Sequence, residues 1–219
     1  MARGRTWIVV AALACALAWW LALRPEPAPS PTPAVAGSTG TQAAGCALPP
    51  RVTAGEAPLH SAVPRGLALP TVAGATLAPL AGFSVEARVL GREAYRLGRE
   101  ADYSPLDLAL GWGRMADEAV LARLSISQGG RWYRYRWQGD PPIPVAEIVR
   151  SSANMHMVPA DEAVENALAR IEPGERLRID GWLVQVDASD GWRWRSSLSR
   201  EDSGGGACEL VYVCAVTPL

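Results

Sequence analysis

The sequence predicts an α+β domain, a small and strongly bent antiparallel sheet or half-barrel of about six strands packed by two or three short helices. One transmembrane helix and a Pro/Ala/Gly-rich linker precede it. Three observations carry the prediction. An unbroken apolar run extends from Trp7 to Leu23; prolines at 25, 27, 29, 31 and 33 open a stretch with almost nothing large enough to bury; and two aromatic hairpins place apolar and polar side chains on opposite faces. The boundaries read 1–24 for a signal anchor, 25–82 for the linker and 83–219 for the domain. An OB-like barrel is one variant of such a sheet, although no feature demands it.

The apolar run is 17 residues long, which as a helix spans ~25 Å, the short end of a bilayer crossing. Trp19, Trp20 and Leu21 carry it on to Arg24 without a small-residue cleavage site, which favours a retained anchor over a removed signal peptide. Arg3 and Arg5 before the run hold the N-terminus inside. The chain has no lysine and is rich in Ala, Gly, Pro and Arg, as in GC-rich bacterial genomes. Residues 7–23 therefore point to a single pass through a bacterial inner membrane, with the C-terminal domain periplasmic.

In the domain, Phe83 to Leu90 alternates as a strand. Ser104, Pro105 and Asp107 supply an N-cap, a first-turn proline and an acid, predicting a short helix ended by Gly111 and Gly113. A two-residue Gly129-Gly130 turn would pair Gln128 with Arg131, Ile126 with Tyr133, Leu124 with Tyr135 and Ala122 with Trp137. Pro144 to Arg150 reads as a short helix. Asp161 to Ile171 reads as a better one, with the stripe Val164, Leu168 and Ile171 and a stop at Pro173-Gly174. The strand Glu175 to Asp187 changes phase at Gly181, where a bulge fits. A Ser189-Asp190-Gly191 turn then pairs Ala188 with Trp192, Val186 with Trp194 and Trp182 with Leu198, and Cys208 to Val216 supplies the last strand.

Cys15 lies in the apolar run. Cys208 and Cys214 flank a strand that, if straight, holds their sulfurs ~20 Å apart, too far to bridge. Either Cys46 is joined to one of them or all three are reduced, and the odd number also permits an intermolecular bridge.

Three of the 21 basic residues fall in the first 24 positions and none of the 22 acids does, so residues 25–219 carry a net charge of −4. Polyanion-binding domains are normally basic, and no nucleic-acid partner is expected. No metal is expected, because His60 and His156 lie far apart in sequence and no Cys-x-x-Cys occurs. No motif points to a cofactor.

Three clusters are candidates for chemistry. The first is Ser151, Ser152, Asn154 and His156. A hydrolase would use His156 as general base to Ser151 or Ser152, oriented by Asn154 or by a carboxylate such as Asp107, Glu201 or Asp202. No Gly-x-Ser-x-Gly elbow supports it, and the plainer reading is a loop whose Ser and Asn cap helix ends. The second is Arg200, Glu201 and Asp202, which suit a carboxylate or phosphate clamp but also a solvated turn. The third is the arginine-aromatic pair of strands, Arg131 to Trp137 and Trp192 to Arg195, where rings and guanidinium groups interleave; the register turns Tyr133, Tyr135 and Trp137 toward the core and leaves Trp132, Arg134 and Arg136 exposed beside Arg123.

The segments Asp107 to Met115, Ser151 to Pro159 and Trp194 to Arg200, with Cys208-Glu209, resemble those of uncharacterised bacterial membrane-anchored proteins over much of residues 95–214. The resemblance implies an envelope protein family with no assigned activity. Together with the anchor and the missing catalytic signature, it leads to a non-catalytic module that binds an envelope protein or glycan partner, with the His156 hydrolase as the alternative.

Overall fold

The structure is a computed structural model and describes residues 40–201 and 206–219. The segment 1–24 expected to be an anchor, the expected linker through residue 39 and Asp202 lie outside the described residues. Among the described residues, no helix is long and apolar enough to cross a membrane.

The domain is dominated by one strongly bent sheet. In chain order its elements are β1 (Thr41–Gln42), β2 (Leu59–Ser61), β3 (Thr76–Ala94), β4 (Leu106–Gly111), α1 (Glu118–Leu121), β5 (Ser125–Gly129), β6 (Trp132–Arg136), α2 (Val145–Arg150), β7 (Ser152–Pro159), α3 (Glu162–Ala169), β8 (Arg176–Asp187), β9 (Arg193–Arg195) and β10 (Glu209–Pro218). Hydrogen bonding runs β3-β4-β7-β10-β8, and β8 returns to β3, so five strands close on themselves. Every pairing in this ring is antiparallel except β7 with β10. With its helix between the third and fourth barrel strands, this is the connectivity of an OB barrel.

β3 makes closure possible. It is 19 residues long and serves β8 along one part and β4 along the other. Register shifts between Pro79 and Ala81, and again between Val89 and Gly91, bend it around the barrel. The phase change expected at Gly181 is accommodated across the ladder, where the register shifts between Val213 and Ala215 of β10. Gly181 itself allows the close approach: a Cβ there would lie 2.1 Å from the Tyr212 carbonyl oxygen.

Alternate residues of the five strands fill the barrel. Leu106, Leu108 and Leu110 meet Met155, Met157, Val211 and Val213, all buried, with Val164 and Leu168 of α3 packed against them. Asp161 caps α3 through Oδ1, which accepts from Val164 N at 2.9 Å. The helix expected after Ser104 is instead β4. Its capping residues are outweighed by the period-two leucines, which have a core to face only in extended backbone. The expected loop around His156 is likewise a strand, β7, with Met155 and Met157 inward and Asn154 and His156 outward.

The folded region begins well before Phe83. Cys46, Leu48, Val63, Leu67, Leu69 and Val72 pack on the outer face of β8 and β10 against Trp182, Val184, Leu210 and Tyr212. Trp182 Nε1 donates to the Ala47 carbonyl at 2.8 Å, and a disulfide joins Cys46 to Cys214. Val52 N donates to Ser84 Oγ at 2.9 Å, and that hydroxyl donates to buried Asp180 at 2.6 Å. Residues 40–75 contain no Phe, Tyr or Trp, so neither periodicity nor hydrophobicity reveals that they cover the barrel, and residues 76–82 are already part of β3.

The chain between β4 and β7 forms a small lobe with its own core of Met115, Val120, Ile143 and Ile148, against which Tyr135 and Trp137 pack. Its hairpin β5–β6 turns at Gly130-Arg131, not at Gly129-Gly130, so Gly129 pairs with Trp132, Gln128 with Tyr133 and Ile126 with Tyr135. The expected separation of faces is kept while each partner shifts by two residues. The second hairpin has the expected register from Ala188 to Val186. Leu198 does not meet Trp182, because β9 ends at Arg195 and Ser197 N turns to the Cys208 carbonyl.

Candidate functional site

Strand pairing sets Asp107 of β4 directly across from His156 of β7, and Ala109 across from Asn154, all on the barrel's outer face. Asp107 is fully buried. Its Oδ1 accepts from Arg131 Nη1 at 2.7 Å and lies 2.9 Å from His156 Nδ1, while Oδ2 accepts from Asn154 Nδ2 at 3.1 Å. An ionised carboxylate only accepts, so His156 carries a proton on Nδ1. Gln128 Nε2 donates to Asn154 Oδ1 at 2.7 Å, and Asn154 Nδ2 also reaches the Arg131 carbonyl at 3.2 Å.

Arg131 comes from the turn of the β5–β6 hairpin, which folds over this face. Gly130 and Arg131 have φ of 61° and 69°, the left-handed pair of a type I′ turn. A non-glycine residue there costs on the order of 1–2 kcal/mol. The compensation is visible: besides the Asp107 ion pair, Arg131 N donates to Tyr95 Oη at 2.8 Å, and its guanidinium lies 3.8 Å from the Tyr95 ring centroid. Burial, the largest influence, raises the Tyr95 phenol above its usual value and so keeps it neutral.

Trp194 of β9 completes the site, its ring 4.8 Å from the His156 ring and 5.7 Å from the Arg131 guanidinium carbon. The loop between β3 and β4 is pinned alongside. Arg99 pairs with Asp190 and lies 4.7 Å from the Trp192 ring, on which Tyr103 stacks at 5.6 Å. Between these groups is a cleft of about 240 Å³ lined by Glu100, Arg131, Trp132, His156, Trp194 and Arg195, with Cys208 at its edge. Rings offer flat apolar faces, Arg131 and Arg195 offer donors, and Glu100 an acceptor, a lining that suits a polar ring better than a purely apolar ligand.

The sequence-derived candidates are distributed unevenly. His156 and Asn154 sit in the centre, with Asp107 as the carboxylate at the histidine. Ser152 is four residues from His156 along an extended strand, ~13 Å away, and its hydroxyl donates to the Ile148 carbonyl at 2.8 Å. Ser151 ends α2, and its carbonyl accepts from Trp112 N. Trp132 borders the cleft, whereas Arg134 and Arg136, exposed on the same face of β6, do not line it. Arg123 does not face Arg136; it donates to the Asp140 carbonyl at 2.9 Å.

Arg200 belongs to a separate buried group. It pairs with Glu209, which is 1 % exposed, and its Nη2 lies 2.7 Å from His60 Nε2. Because arginine only donates, His60 accepts and is neutral; burial first, then the Arg200 charge, lowers its pKa to about 4. The guanidinium lies 5.6 Å from the Phe83 ring and 5.5 Å from the Trp112 ring. Glu201 is exposed. Among the described residues, no group of three or more His, Cys, Asp or Glu is placed to hold a metal.

Tyr95 and Gln128 are site residues that the sequence does not single out. Arg131, Trp194 and Arg195 lie within the arginine-aromatic strands that the sequence offers as its third cluster. No protein-family model, curated protein or solved structure matches this chain.

Proposed function

We propose that the protein is a membrane-anchored envelope module, held at the bacterial inner membrane by residues 7–23, whose periplasmic barrel binds a glycan without transforming it. One observation carries this reading: the outer face of β4 and β7, the surface on which OB barrels take oligosaccharides or oligonucleotides, is here a cleft walled by Trp132, Trp194, Arg131 and Arg195. The net charge of −4 over residues 25–219 favours a sugar over a nucleic acid. The Cys46–Cys214 disulfide suits an oxidising compartment.

The test is titration of the full chain, in detergent micelles, with an array of short neutral and uronate-containing oligosaccharides. The reading expects saturable binding that Trp194→Ala weakens at least tenfold and no cleavage of the bound sugar. Absence of binding across the array sinks it. A second reading, a hydrolase, draws on the Asp107–His156 bond, which orients the imidazole as in nucleophilic enzymes. The nucleophilic side chain that lines the cleft is that of Cys208, whose Sγ lies 3.9 Å from the Arg131 carbonyl oxygen, rather than that of Ser152. Release of cleaved product by the wild type, lost in Cys208→Ala, selects that reading instead.

A further inference from the structure

The β5–β6 hairpin is charged unlike the rest of the domain. Residues 123–139 contain four arginines and no acid, so the remainder of 25–219, at −4 overall, holds −8. Alternation along β6 turns Tyr133 and Tyr135 toward the domain and leaves Trp132, Arg134 and Arg136 outward, a row ~14 Å long. Across the ladder they pair with Gly129, Ser127 and Ser125, all too small to rise above the sheet. The outer face is therefore flat, with one ring and two guanidinium groups standing on it.

The charge on this face is not neutralised from within the domain. Arg134 Nη1 reaches the Gly129 carbonyl at 3.3 Å, and Arg123, at the foot of the hairpin, donates to the Asp140 carbonyl. Two nearby acids are engaged elsewhere, Glu118 with Arg88 and Glu147 with Arg114. Among the described residues, neither Arg134 nor Arg136 takes part in an ion pair. Like charges two residues apart on a strand, ~7 Å, repel each other, and an anionic partner relieves the repulsion.

Shape and charge together narrow the partner. A small anion is held by donors that converge in a concave site, whereas a flat row of cations fits a plane of negative charge. Trp132, 39 % exposed at the end of the row, is amphipathic in the way that suits a headgroup layer. The acidic remainder of the domain is repelled by such a plane, so this face alone approaches it. Only 16 residues, 24–39, separate the apolar run from the described chain, which keeps the domain within roughly 55 Å of a bilayer. At that range a weak contact, about fivefold per arginine, suffices. We propose that the outer face of β5–β6 docks the domain on anionic phospholipid headgroups, with Arg134 and Arg136 at phosphates and Trp132 among the headgroups. The tether argument rests on the anchor reading above; the charge argument does not. Trp132 also borders the His156 cleft, so docking brings that cleft to the membrane surface.

The experiment places the full chain in nanodiscs of phosphatidylcholine alone or in equal parts with phosphatidylglycerol, each doped with a gadolinium-chelating lipid headgroup. The readout is paramagnetic broadening of the Trp132 indole N–H and the Ser127 and Arg134 amides, against the Trp182 indole. Phosphatidylglycerol should broaden the first three and spare Trp182, and neutral discs should broaden none of them. The double variant Arg134→Gln/Arg136→Gln should lower the ratio of docked to undocked chain about 25-fold, and Ser127→Glu should act in the same direction. Broadening that is equal at Trp182, equal in neutral discs or unchanged in the double variant overturns the dock. So does a response of these resonances to soluble polyglutamate with none to phosphatidylglycerol, which assigns the face to an acidic polymer. Retention of the chain in neutral discs reports the anchor separately. If the chain leaves them, the anchor reading fails and the dock is read by sedimentation with phosphatidylglycerol vesicles at low salt. Wild type should then pellet and the double variant should not; equal pelleting of the two, or none with wild type, overturns the dock.

Discussion

Arg131 donates to Asp107 at 2.7 Å from a backbone held at φ 69°, so the hairpin that crosses the barrel is fastened by a residue in a conformation its side chain must justify. Asp107 has no solvent access, and Arg131, His156 and Asn154 all bond to it. Removing this carboxylate strands a guanidinium and an imidazole together.

Asp107→Asn should therefore destabilise the domain by about 3–5 kcal/mol, the usual consequence of breaking a buried pair from one side. Urea unfolding followed by tryptophan fluorescence measures it. A loss below ~1 kcal/mol would show that the pair behaves like a surface contact and that the hairpin is held by other means.

At Arg131 the backbone and the side chain can be separated. Arg131→Ala and Arg131→Gly both delete the ion pair, but glycine tolerates positive φ, so the glycine variant should be the more stable by ~1 kcal/mol. Equal midpoints for the two variants contradict the turn at Gly130-Arg131 and favour the Gly129-Gly130 turn that the sequence suggests.

His60 imposes a pH dependence whose sign follows from its lowered pKa. The folded state holds it near 4 against an ordinary 6.5, chiefly by burial and then through Arg200, so the unfolded chain takes up the proton first on acidification. The contribution is present above pH 6.5 and is lost as pH falls from there through 4. Melting temperatures across that window should decline, and His60→Gln should flatten the decline while keeping an acceptor for Arg200. An unaltered slope in the variant removes His60 as its source.

The Cys46–Cys214 bridge closes a loop of 168 residues, and its removal in Cys46→Ser should cost about 2–5 kcal/mol. Alkylation without reduction, followed by peptide mass mapping, should label Cys208 and leave Cys46 joined to Cys214. A bridge to Cys208 instead would require the N-terminal segment to cross a different face of the barrel.

How much was legible in the sequence depended on whether local pattern and tertiary partner agreed. α3 was readable because Asp161, Val164 and Leu168 act as cap and stripe without outside help. The β8–β9 turn was readable because Gly191 adopts φ 88° as its position demands. β4 was misread where a proline-and-acid capping pattern coincided with alternating leucines, since only the barrel interior decides between them. β7 was missed because its outward residues are the polar site itself. The site centre was half legible: His156, Asn154 and Asp107 were named together and Arg131 as the start of an aromatic strand, whereas the strained turn that aims Arg131 at Asp107 is announced by no local preference, and Tyr95 and Gln128 joined from distant elements.

The glycan reading is tested most directly by the tryptophan indole N–H resonances of the full chain during titration with the array of neutral and uronate-containing oligosaccharides. The account predicts that the Trp194 and Trp132 signals move together and saturate, while Trp182, bonded to the Ala47 carbonyl on the opposite face, stays in place. Stationary Trp194 and Trp132 signals, or a shift confined to Trp182, would contradict it.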